Sequence, residues 1–304
     1  MRILMVMNNR SGGGDAGLYA FVRTLGEAVP EITLRFCDED RSIESVTSDA
    51  DQFDRVVAAG GDGTAGAVAY ALRDTGVPLL IYPGGTANLL AMNLGMPTEP
   101  RALAEVALNG RPVSFDLGEI ELTGPKGTTK QGFAIVAGAG YDAAIMESAQ
   151  PLKSTLGAAA YLVAAVTNIA PTTARFELDL DGEKVSTDGI AVLLANFGKL
   201  QFDVQVARGA DPRDGLFDIA VVRSRSVAGL LPAVMSNLLD SRATSSTPGI
   251  DMYQASSVRL SSYPPLRMQY DGEVAESLTP FTARVLPRAT TLLVPEDSPH
   301  ADCT

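Results

Sequence analysis

A glycine-rich segment between a strand pattern and a helix pattern constrains the fold of this chain most. An apolar, β-branched run ends at Ala59, residues 60–64 read GGDGT, and residues 65–73 have a helical pattern. Where a buried strand gives way to a helix through glycines, backbone N–H groups come close to a bound phosphate and the helix N-terminus adds partial positive charge. The segment contains no lysine, so it is not a Walker A motif.

The residues of this segment alone leave two interpretations open. Gly and Asp also dominate ordinary tight turns, which need bind no ligand. In a phosphate-binding loop, the Thr64 hydroxyl would contact a phosphate oxygen, and the Asp62 carboxylate would hold a cation or accept a proton.

Strand and helix patterns alternate through residues 1–117 and predict an α/β domain with a mostly parallel sheet. The strand patterns cover residues 2–7, 31–37, 55–59 and 77–82, and the helix patterns cover residues 18–29, 65–73, 89–94 and 101–108. Ligands of such sheets bind beyond the carboxyl ends of the strands. Polar, glycine-rich loops follow the strand patterns at residues 8–14, 60–64 and 83–88.

Short strand patterns dominate from about residue 118 and predict a mainly β, sandwich-like or barrel-like second domain. They cover residues 119–122, 131–137, 176–180, 184–196, 216–223, 257–261, 266–270 and 281–286, with a few helices between them, including an Ala-rich buried helix at 156–169. The predicted domains are therefore residues 1–117 and 118–287. Residues 288–304 are a candidate return to the first domain.

The acidic charge of the chain argues against nucleic-acid binding. Its 304 residues carry a net charge of −12, whereas sequence-independent nucleic-acid binding depends on Lys and Arg. The two cysteines, Cys37 and Cys303, give no disulfide framework, which favours a reducing cytoplasm. The single histidine, His300, excludes a histidine-based triad or metal cluster. No segment approaches the ~20 apolar residues of a membrane span.

A dinucleotide-binding oxidoreductase is the competing hypothesis. The spacing G-x-G-x-x-G occurs at residues 12–17 and again at 61–66, and acidic residues follow the first copy at about the distance of a ribose-binding carboxylate. One sheet normally carries one such fingerprint, however, and residues 9–11 separate the first copy from its strand. Both observations weaken the oxidoreductase hypothesis.

Seven short motifs occur in a fixed order along the chain. They are Asn8-x-x-Ser11-Gly12, Gly60-Gly61-Asp62-Gly63-Thr64, Gly85-Thr86-Ala87-Asn88, Asp116-Leu117-Gly118, Ala137-Gly138-Ala139-Gly140-Tyr141-Asp142, Asp214-Gly215-Leu216 and Asp271-Gly272-Glu273. This set resembles the diacylglycerol kinase catalytic family, which includes sphingosine kinases and bacterial lipid kinases. The resemblance covers nearly the whole chain. It implies an α/β domain that binds ATP and Mg²⁺ and a mainly β domain that binds a lipid.

The resemblance implies binding roles for individual residues. Positions that line nucleotide or phosphate in the family correspond to Asn8, Ser11, Gly60, Gly61, Asp62, Gly63, Thr64, Thr86 and Asn88. A structural Mg²⁺ site of bacterial relatives corresponds to Asp211, Asp214 and the Leu216 carbonyl, although these residues are equally compatible with a plain turn. Asp116 is a candidate either to organise a metal or to serve as a surface cap.

The resemblance also implies that Glu273, in the segment Asp271-Gly272-Glu273, is the general base for the lipid hydroxyl. Asp271 is grouped with it as a catalytic candidate, and Asp62 is the second candidate base. Asp-Gly between strand patterns is also the signal for a two-residue hairpin, and residues 181–183 repeat the same tripeptide. At least one copy must then be only a turn, and we assign that role to residues 181–183.

Three positions depart from the family's pattern. Leu89 follows the loop asparagine where many diacylglycerol kinases have Asp, Cys37 stands where bacterial relatives often have Thr, and residues 197–203 replace a glycine-rich stretch. These departures leave the acceptor lipid open among diacylglycerol, a sphingoid base, ceramide and a polyprenol.

The function predicted from the sequence is a cytoplasmic lipid kinase in peripheral contact with the membrane. It transfers the γ-phosphoryl group of ATP to a lipid hydroxyl with Mg²⁺, and a diacylglycerol-like acceptor is the first expectation. A nucleotide-binding protein without kinase activity is the alternative from another class. Monomer and homodimer both remain open.

Overall fold

The computed structural model divides the chain into two compact units. It describes residues 1–8, 16–38, 40–124, 127–140, 172–198, 210–223 and 249–301. The first unit comprises Met1–Leu117 and Pro287–Thr304, and the second comprises Gly118–Leu286. The chain therefore leaves the first unit once and returns to it.

The first unit is built on a parallel sheet. Its strands are β1 (Arg2–Asn8), β2 (Glu31–Cys37), β3 (Arg55–Gly60), β4 (Leu79–Pro83) and parts of the long strands β5 (Arg111–Gly124) and β16 (Phe281–Val294). Its helices are α1 (Ala16–Ala28), α2 (Ile43–Val46), α3 (Asp62–Ala71), α4 (Leu89–Leu94) and α5 (Pro100–Asn109), with a 3₁₀ turn at Ala50–Gln52. The strand order is β2-β1-β3-β4-β16, and all neighbours are parallel.

Continuous apolar strands explain why this sheet is parallel and covered by helices. Residues 3–6 and 56–59 are buried, as expected for strands with both faces covered. Phe21 and Leu25 of α1 pack with Leu103 of α5 against these strands. Each such buried side chain contributes about 1.5–3 kcal/mol through removal of its apolar surface from water.

The parallel register brings the carboxyl ends of four strands to one edge of the sheet. Asn8 is the register partner of Cys37, and Gly60 is the register partner of Pro83. Met7 and Ala59, one position earlier, join the two pairs through β1 and β3. This edge is where the predicted glycine-rich loops begin.

Helix α3 starts three residues before its predicted start. Asp62, Gly63 and Thr64 form its first turn, and Gly61 is the N-cap. Gly and Asp favour turns, which is why the sequence pattern placed Asp62 and Gly63 between the strand and the helix. A carboxylate in the first turn interacts favourably with the helix dipole, and this offsets the poor helix propensity of glycine.

The second unit is a β-sandwich. Its remaining strands are β6 (Gly127–Phe133), β7 (Val136–Gly140), β8 (Ala174–Leu180), β9 (Glu183–Gly189), β10 (Ala191–Ala195), β11 (Phe217–Val222), β12 (Ile250–Ala255), β13 (Ser257–Tyr263), β14 (Arg267–Tyr270) and β15 (Glu273–Leu278). One sheet has the order β16-β13-β8-β9 with a β5–β6 hairpin, and the other has the order β12-β11-β10-β7-β14-β15. Both sheets contribute to one apolar core that contains Phe133, Phe176 and Phe217.

Two predicted strands of this unit are each two strands in the structure. The run at 131–137 divides into β6 and β7, and the run at 184–196 divides into β9 and β10. In both cases the chain passes from one sheet to the other. In the first run residues 133–137 are all apolar across the crossing, and in the second the mostly polar β9 leads through Gly189 and Ile190 directly into the apolar β10. No turn signal separates the strands clearly in either run, so the pattern did not reveal the break. Strands β12 and β15 had no predicted counterpart.

Some predictions lie outside the described residues. They concern Ser11, the helix at 156–169, Cys303 and residues 199–203. Among the residues that the structure does describe, no helix combines the length and the hydropathy of a membrane span.

Candidate functional site

Two glycine pairs stack on each other at the carboxyl edge of the parallel sheet. The N–H of Gly84 donates to the carbonyl of Gly60 at 3.0 Å. A Cβ on Gly85 would overlap the Cα of Gly61, and a Cβ on Gly60 would lie 2.7 Å from the Thr64 side chain. The two loops therefore pack in this way only because Gly85 lacks a side chain, and Gly60 must lack one because Thr64 lies against it.

A glycine is the N-cap of α3, whereas a side chain from α3 caps the N-terminus of α4. Gly61 has no side chain and so makes no side-chain cap hydrogen bond to α3. The Asp62 carboxylate instead accepts a hydrogen bond from the N–H of Leu90 in α4 at 2.9 Å. Uncapped N–H groups at a helix start, approached through glycines, are the groups that bind phosphate oxygens.

Asp62 is a partly buried carboxylate with a shifted pKa. Burial raises its pKa above the ordinary value, and hydrogen bonds from the N–H groups of Leu90, Leu89 and Asn88, and from its own N–H, lower it by a smaller amount. A carboxylate that is desolvated in this way gains from a nearby cation or from a proton. Asp62 therefore has the chemistry expected of a group beside a metal-bound phosphate.

Asn8 and Thr64 are joined beside the glycine pairs. The side-chain amide of Asn8 donates to Thr64 Oγ1 at 3.0 Å, and Thr64 is buried. Cys37, the register partner of Asn8, is also buried, and burial raises the pKa of its thiol. The structure thus connects the end of β1 directly to the first turn of α3.

The side chain of Asn88 makes two hydrogen bonds within its own loop. Its Oδ1 accepts from the N–H of Gly85 at 2.8 Å, and its Nδ2 donates to the Gly85 carbonyl at 3.0 Å. Its backbone has a positive φ of 52°. Thr86 in the same loop is exposed. The amide of Asn88 therefore shapes the loop that carries Thr86.

Asp271 is buried in the second unit, and its carboxylate holds the backbone of another segment by hydrogen bonds. We call this arrangement a clamp. The carboxylate accepts from the N–H groups of Ala134 at 2.6 Å, Ile135 at 2.8 Å and Val136 at 3.1 Å. A carboxylate bound by three backbone donors is held in place and has a structural function. The geometry therefore supports a structural role for Asp271 rather than the catalytic role expected from the sequence.

Glu273 begins β15 directly after this clamp. Its side chain is exposed, and Tyr270 is its register partner across the hairpin. Burial, followed by the negative charges of Glu273 and Asp271, raises the pKa of the Tyr270 hydroxyl. Glu273 is thus an accessible carboxylate directly after the turn, and a buried aspartate fixes that turn.

Asp116 is inside the first unit and not at its surface. It is 1% exposed within β5, and its Oδ1 accepts from the N–H of Arg288 at 2.7 Å. Arg288 has a positive φ of 51°, so the carboxylate supports a left-handed backbone position in β16. The expectation of a surface cap was wrong because β5 continues through Asp116.

The residues 211–216 form a turn. Asp211 Oδ1 is paired with Arg213 Nε at 2.9 Å, and Asp214 Oδ1 accepts from the Leu216 N–H at 2.9 Å. An arginine paired with one candidate ligand does not suit Mg²⁺, which needs oxygen ligands. No cluster of three or more His, Cys, Asp or Glu side chains able to hold a metal occurs in the described part of the chain. The structural Mg²⁺ site that the resemblance implied for Asp211, Asp214 and the Leu216 carbonyl stays a prediction.

One connected cluster collects most of the predicted phosphate-binding residues. Contacts between neighbours join Asn8, Thr64, Gly60, Gly61, Asp62 and Asn88 at the edge of the first unit's sheet. Sequence reasoning did not assign a role to Gly84, although the Gly84-Gly85 pair after a strand is the signal of a close backbone approach. Asp271 and Glu273 belong to the second unit, as do residues 211–216.

Solved structures share the fold of this chain. The chain matches a crystal structure of a diacylglycerol kinase from Bacillus anthracis str. Sterne with a TM-score of 0.76 and 21% identity over 97% of each chain. It matches yeast NADH kinase complexed with NADH with a TM-score of 0.55 and 12% identity over 97% of this chain and 84% of that one. At these identities the likeness shows the fold alone. It confirms the predicted fold class, an α/β domain with a β-sandwich domain.

Sequence comparisons give the family. Residues 2–120 match the diacylglycerol kinase catalytic domain, and residues 135–294 match the YegS C-terminal NAD kinase beta sandwich-like domain. The chain is 30% identical over 241 residues to the diacylglycerol kinase of Mycobacterium tuberculosis, with 76% of each chain covered. It is 28% identical over 288 residues to a Stenotrophomonas maltophilia protein named Probable lipid kinase YegS-like, with 90% of each covered.

A further match is 30% identical over 264 residues to an uncharacterized Synechocystis protein, and it covers 84% of this chain and 58% of that protein. Together these matches confirm the resemblance seen in the motifs. The chain belongs to the diacylglycerol kinase-like family of lipid kinases, which are phosphotransferases.

Proposed function

We propose that this protein transfers the γ-phosphoryl group of ATP to the hydroxyl of a diacylglycerol-like lipid, with Mg²⁺. The name of the M. tuberculosis relative, diacylglycerol kinase, supports this choice of acceptor. The observation that carries the proposal is the stacked pair of glycine loops beside the glycine N-cap of α3. Phosphoryl transfer depends mainly on positioning and on neutralising charge, and backbone donors at this point supply both.

The phosphates would contact the first turn of α3. Gly61 is the N-cap there, and its missing side chain lets the backbone approach a ligand closely. Thr64 would offer its hydroxyl to a phosphate oxygen, and the hydrogen bond from Asn8 fixes the position of that hydroxyl. Because Asp62 accepts hydrogen bonds chiefly from N–H groups at the start of α4 and less from its own N–H, it would leave the N–H groups of Gly63 and Thr64 to the phosphates.

The donor set at this edge fits Mg²⁺ that is bound chiefly by the nucleotide. Mg²⁺ usually keeps several waters and is held through one or two carboxylates plus substrate phosphates. Asp62 is the carboxylate beside the glycine loops, and burial has raised its pKa. We place Asp62 next to the water shell of the ion. The bound ion would neutralise charge on the phosphate oxygens.

Glu273 is the proposed general base. A lipid alcohol is a poor nucleophile at neutral pH, so a carboxylate oxygen of Glu273 would accept the hydroxyl proton as the oxygen attacks phosphorus. The exposure of Glu273 and its position beside the clamped turn of Asp271 support this role. Leu89 leaves Asp62 without the second acidic side chain that many relatives have in this loop.

The proposal is tested by measuring transfer of labelled phosphate from ATP to a panel of lipids. The purified protein is incubated with Mg²⁺ and with diacylglycerol, a sphingoid base, ceramide or a polyprenol. We expect product with diacylglycerol and none when Mg²⁺ is chelated. Transfer to another lipid of the panel instead would overturn the choice of diacylglycerol as the acceptor. No transfer to any lipid, together with binding of a nicotinamide dinucleotide, would overturn the kinase proposal itself.

A further inference from the structure

Two loops of the second unit form an exposed apolar tip. The loop after β13 carries Tyr263, which is 82% exposed, and the exposed Pro264 and Pro265. The end of β15 carries Leu278, which is 46% exposed, and the exposed Pro280 follows it. We call these five residues the apolar tip. Large apolar side chains this exposed in adjoining loops are a marker of an interaction surface.

Hydrogen bonds join the two loops into one surface. The N–H of Leu266 donates to Thr279 Oγ1 at 3.0 Å, and the N–H of Thr279 donates to the Leu266 carbonyl at 3.0 Å. The hydroxyls of Ser262 and Thr279 are 2.6 Å apart. Thr279 itself is buried. The apolar tip is therefore a single preformed feature, and its side chains are not two independent loop ends.

Two exposed arginines flank the apolar tip of this acidic chain, which has 36 acidic and 24 basic residues. Arg175 on β8 is exposed and is the register partner of Tyr263. Arg267 is exposed and is the register partner of Leu278. A positive, apolar feature on an acidic protein is complementary to a negatively charged, apolar partner.

We propose that the apolar tip docks on the surface of an anionic lipid bilayer. A tyrosine with flanking leucine and proline suits the interfacial layer, where one end of the side chain is apolar and the other is hydrated. Arg267 would contact lipid phosphates while the carbon atoms of its side chain stay along the apolar residues. A specific protein interface takes about 20–30 residues a side, many more than the five of the apolar tip. The inference concerns membrane contact by the proposed lipid kinase and does not depend on which lipid accepts phosphate.

The test is co-sedimentation of the full chain with lipid vesicles in the absence of nucleotide. One set of vesicles is phosphatidylcholine alone, and the other is an equimolar mixture with phosphatidylglycerol. We expect binding to the anionic vesicles that weakens with added salt. The double variant Tyr263→Ser, Leu278→Ser should lower the partition coefficient about tenfold, because two apolar side chains no longer enter the interface. Arg267→Glu should lower it about fivefold or more.

Matched controls are available in the first unit. Tyr19 is 73% exposed on α1 and Arg101 is exposed on α5, and Tyr19→Ser and Arg101→Glu should bind vesicles as the wild type does. Thermal unfolding verifies that all variants are folded. The inference is overturned if the wild type does not bind anionic vesicles, or if the controls lose as much binding as the tip variants. It is also overturned if the tip variants change the oligomeric mass and leave vesicle binding intact. Phosphorylation of detergent-dispersed lipid by the tip variants separates a failure of docking from a failure of catalysis.

Discussion

The second unit contains the tripeptide Asp-Gly-Glu twice, at residues 181–183 and 271–273, and both copies form the same turn. In each copy the Asp and the Gly have positive φ, with values of 53° and 97° in the first and 43° and 86° in the second. Positive φ at both central residues is the geometry of a type I′ hairpin. In each copy the glutamate begins the second strand of the hairpin.

The two aspartates also make the same kind of clamp. Asp181 accepts hydrogen bonds from the N–H groups of Ser256 and Ser257, where the chain passes from β12 in one sheet to β13 in the other. Asp271 does the same for residues 134–136, where the chain passes from β6 to β7. The fold of the sandwich therefore explains the aspartate and the glycine in both copies.

The copies differ in what surrounds them. Asp271 is 7% exposed and follows Tyr270, whereas Asp181 is exposed and follows Leu180. The motif by itself therefore indicates a turn, and a catalytic role has to be argued from the glutamate and its surroundings. The two copies form a natural pair in which one glutamate is the proposed base and the other is its control.

The largest expected effect is the difference in kcat between the Gln variants of the two glutamates. Glu273→Gln should lower kcat for lipid phosphorylation by about 10²–10⁴-fold, because the lipid hydroxyl loses its general base. Glu183→Gln should leave kcat unchanged. ATP affinity, measured by calorimetry, should stay near that of the wild type in both variants. Equal kcat values for the two variants would remove Glu273 from the mechanism.

A smaller effect is the difference in unfolding free energy between the Asn variants of the two aspartates. Asp271→Asn should lower the free energy of unfolding by about 3 kcal/mol, because an amide group then faces buried backbone N–H groups that need an acceptor. Asp181→Asn should cost less than about 1 kcal/mol, since water replaces the lost hydrogen bonds at an exposed position. Urea unfolding measures both values. A larger loss for Asp181→Asn than for Asp271→Asn would contradict the assignment of the buried clamp.

The smallest expected effect is the pH dependence of the stability that the exposed Asp181 contributes. Burial raises the pKa of Asp181, but hydrogen bonds from Ser256 and Ser257 outweigh it, so the pKa lies below its ordinary value. An acid whose pKa is lowered by folding stabilises the protein above its unfolded pKa of about 3.9 and loses this contribution as pH falls. The difference in unfolding free energy between wild type and Asp181→Asn should therefore be constant near neutral pH and shrink below about pH 4. A difference that grows on acidification would reverse the sign of the shift.

The sequence predicted the features that depend on local pattern. The parallel strands and their glycine-rich carboxyl ends followed from apolar runs and from Gly-Gly pairs such as Gly60-Gly61. The start of α3 at Asp62 did not, because a glycine-rich first turn has the composition of a loop. The breaks within 131–137 and 184–196 were not predicted either, since apolar residues run across the first and the polar β9 continues directly into the apolar β10 at the second.

The features of the site that the sequence did not predict depend on contacts between segments that are far apart in the chain. Asp271 contacts Ala134 across 137 positions of the chain, and Asp62 contacts Leu90 across 28. No spacing rule connects such residues before the fold is known. The same limit applies to Asp116, whose buried position depends on its bond to Arg288 in the returning strand.

The central claim is that backbone at the stacked glycine loops binds the phosphates of ATP, and three glycine variants test it most directly. A Cβ on Gly61 would meet only the Gly85 Cα, at 3.5 Å, a Cβ on Gly85 would overlap Gly61, and a Cβ on Gly26 in α1 would meet nothing within 4 Å. Calorimetric ATP binding and thermal unfolding are measured for all three. The account predicts that Gly26→Ala keeps both properties, Gly85→Ala loses both, and Gly61→Ala stays folded but loses ATP affinity. A Gly61→Ala protein that binds ATP as tightly as the wild type would contradict it.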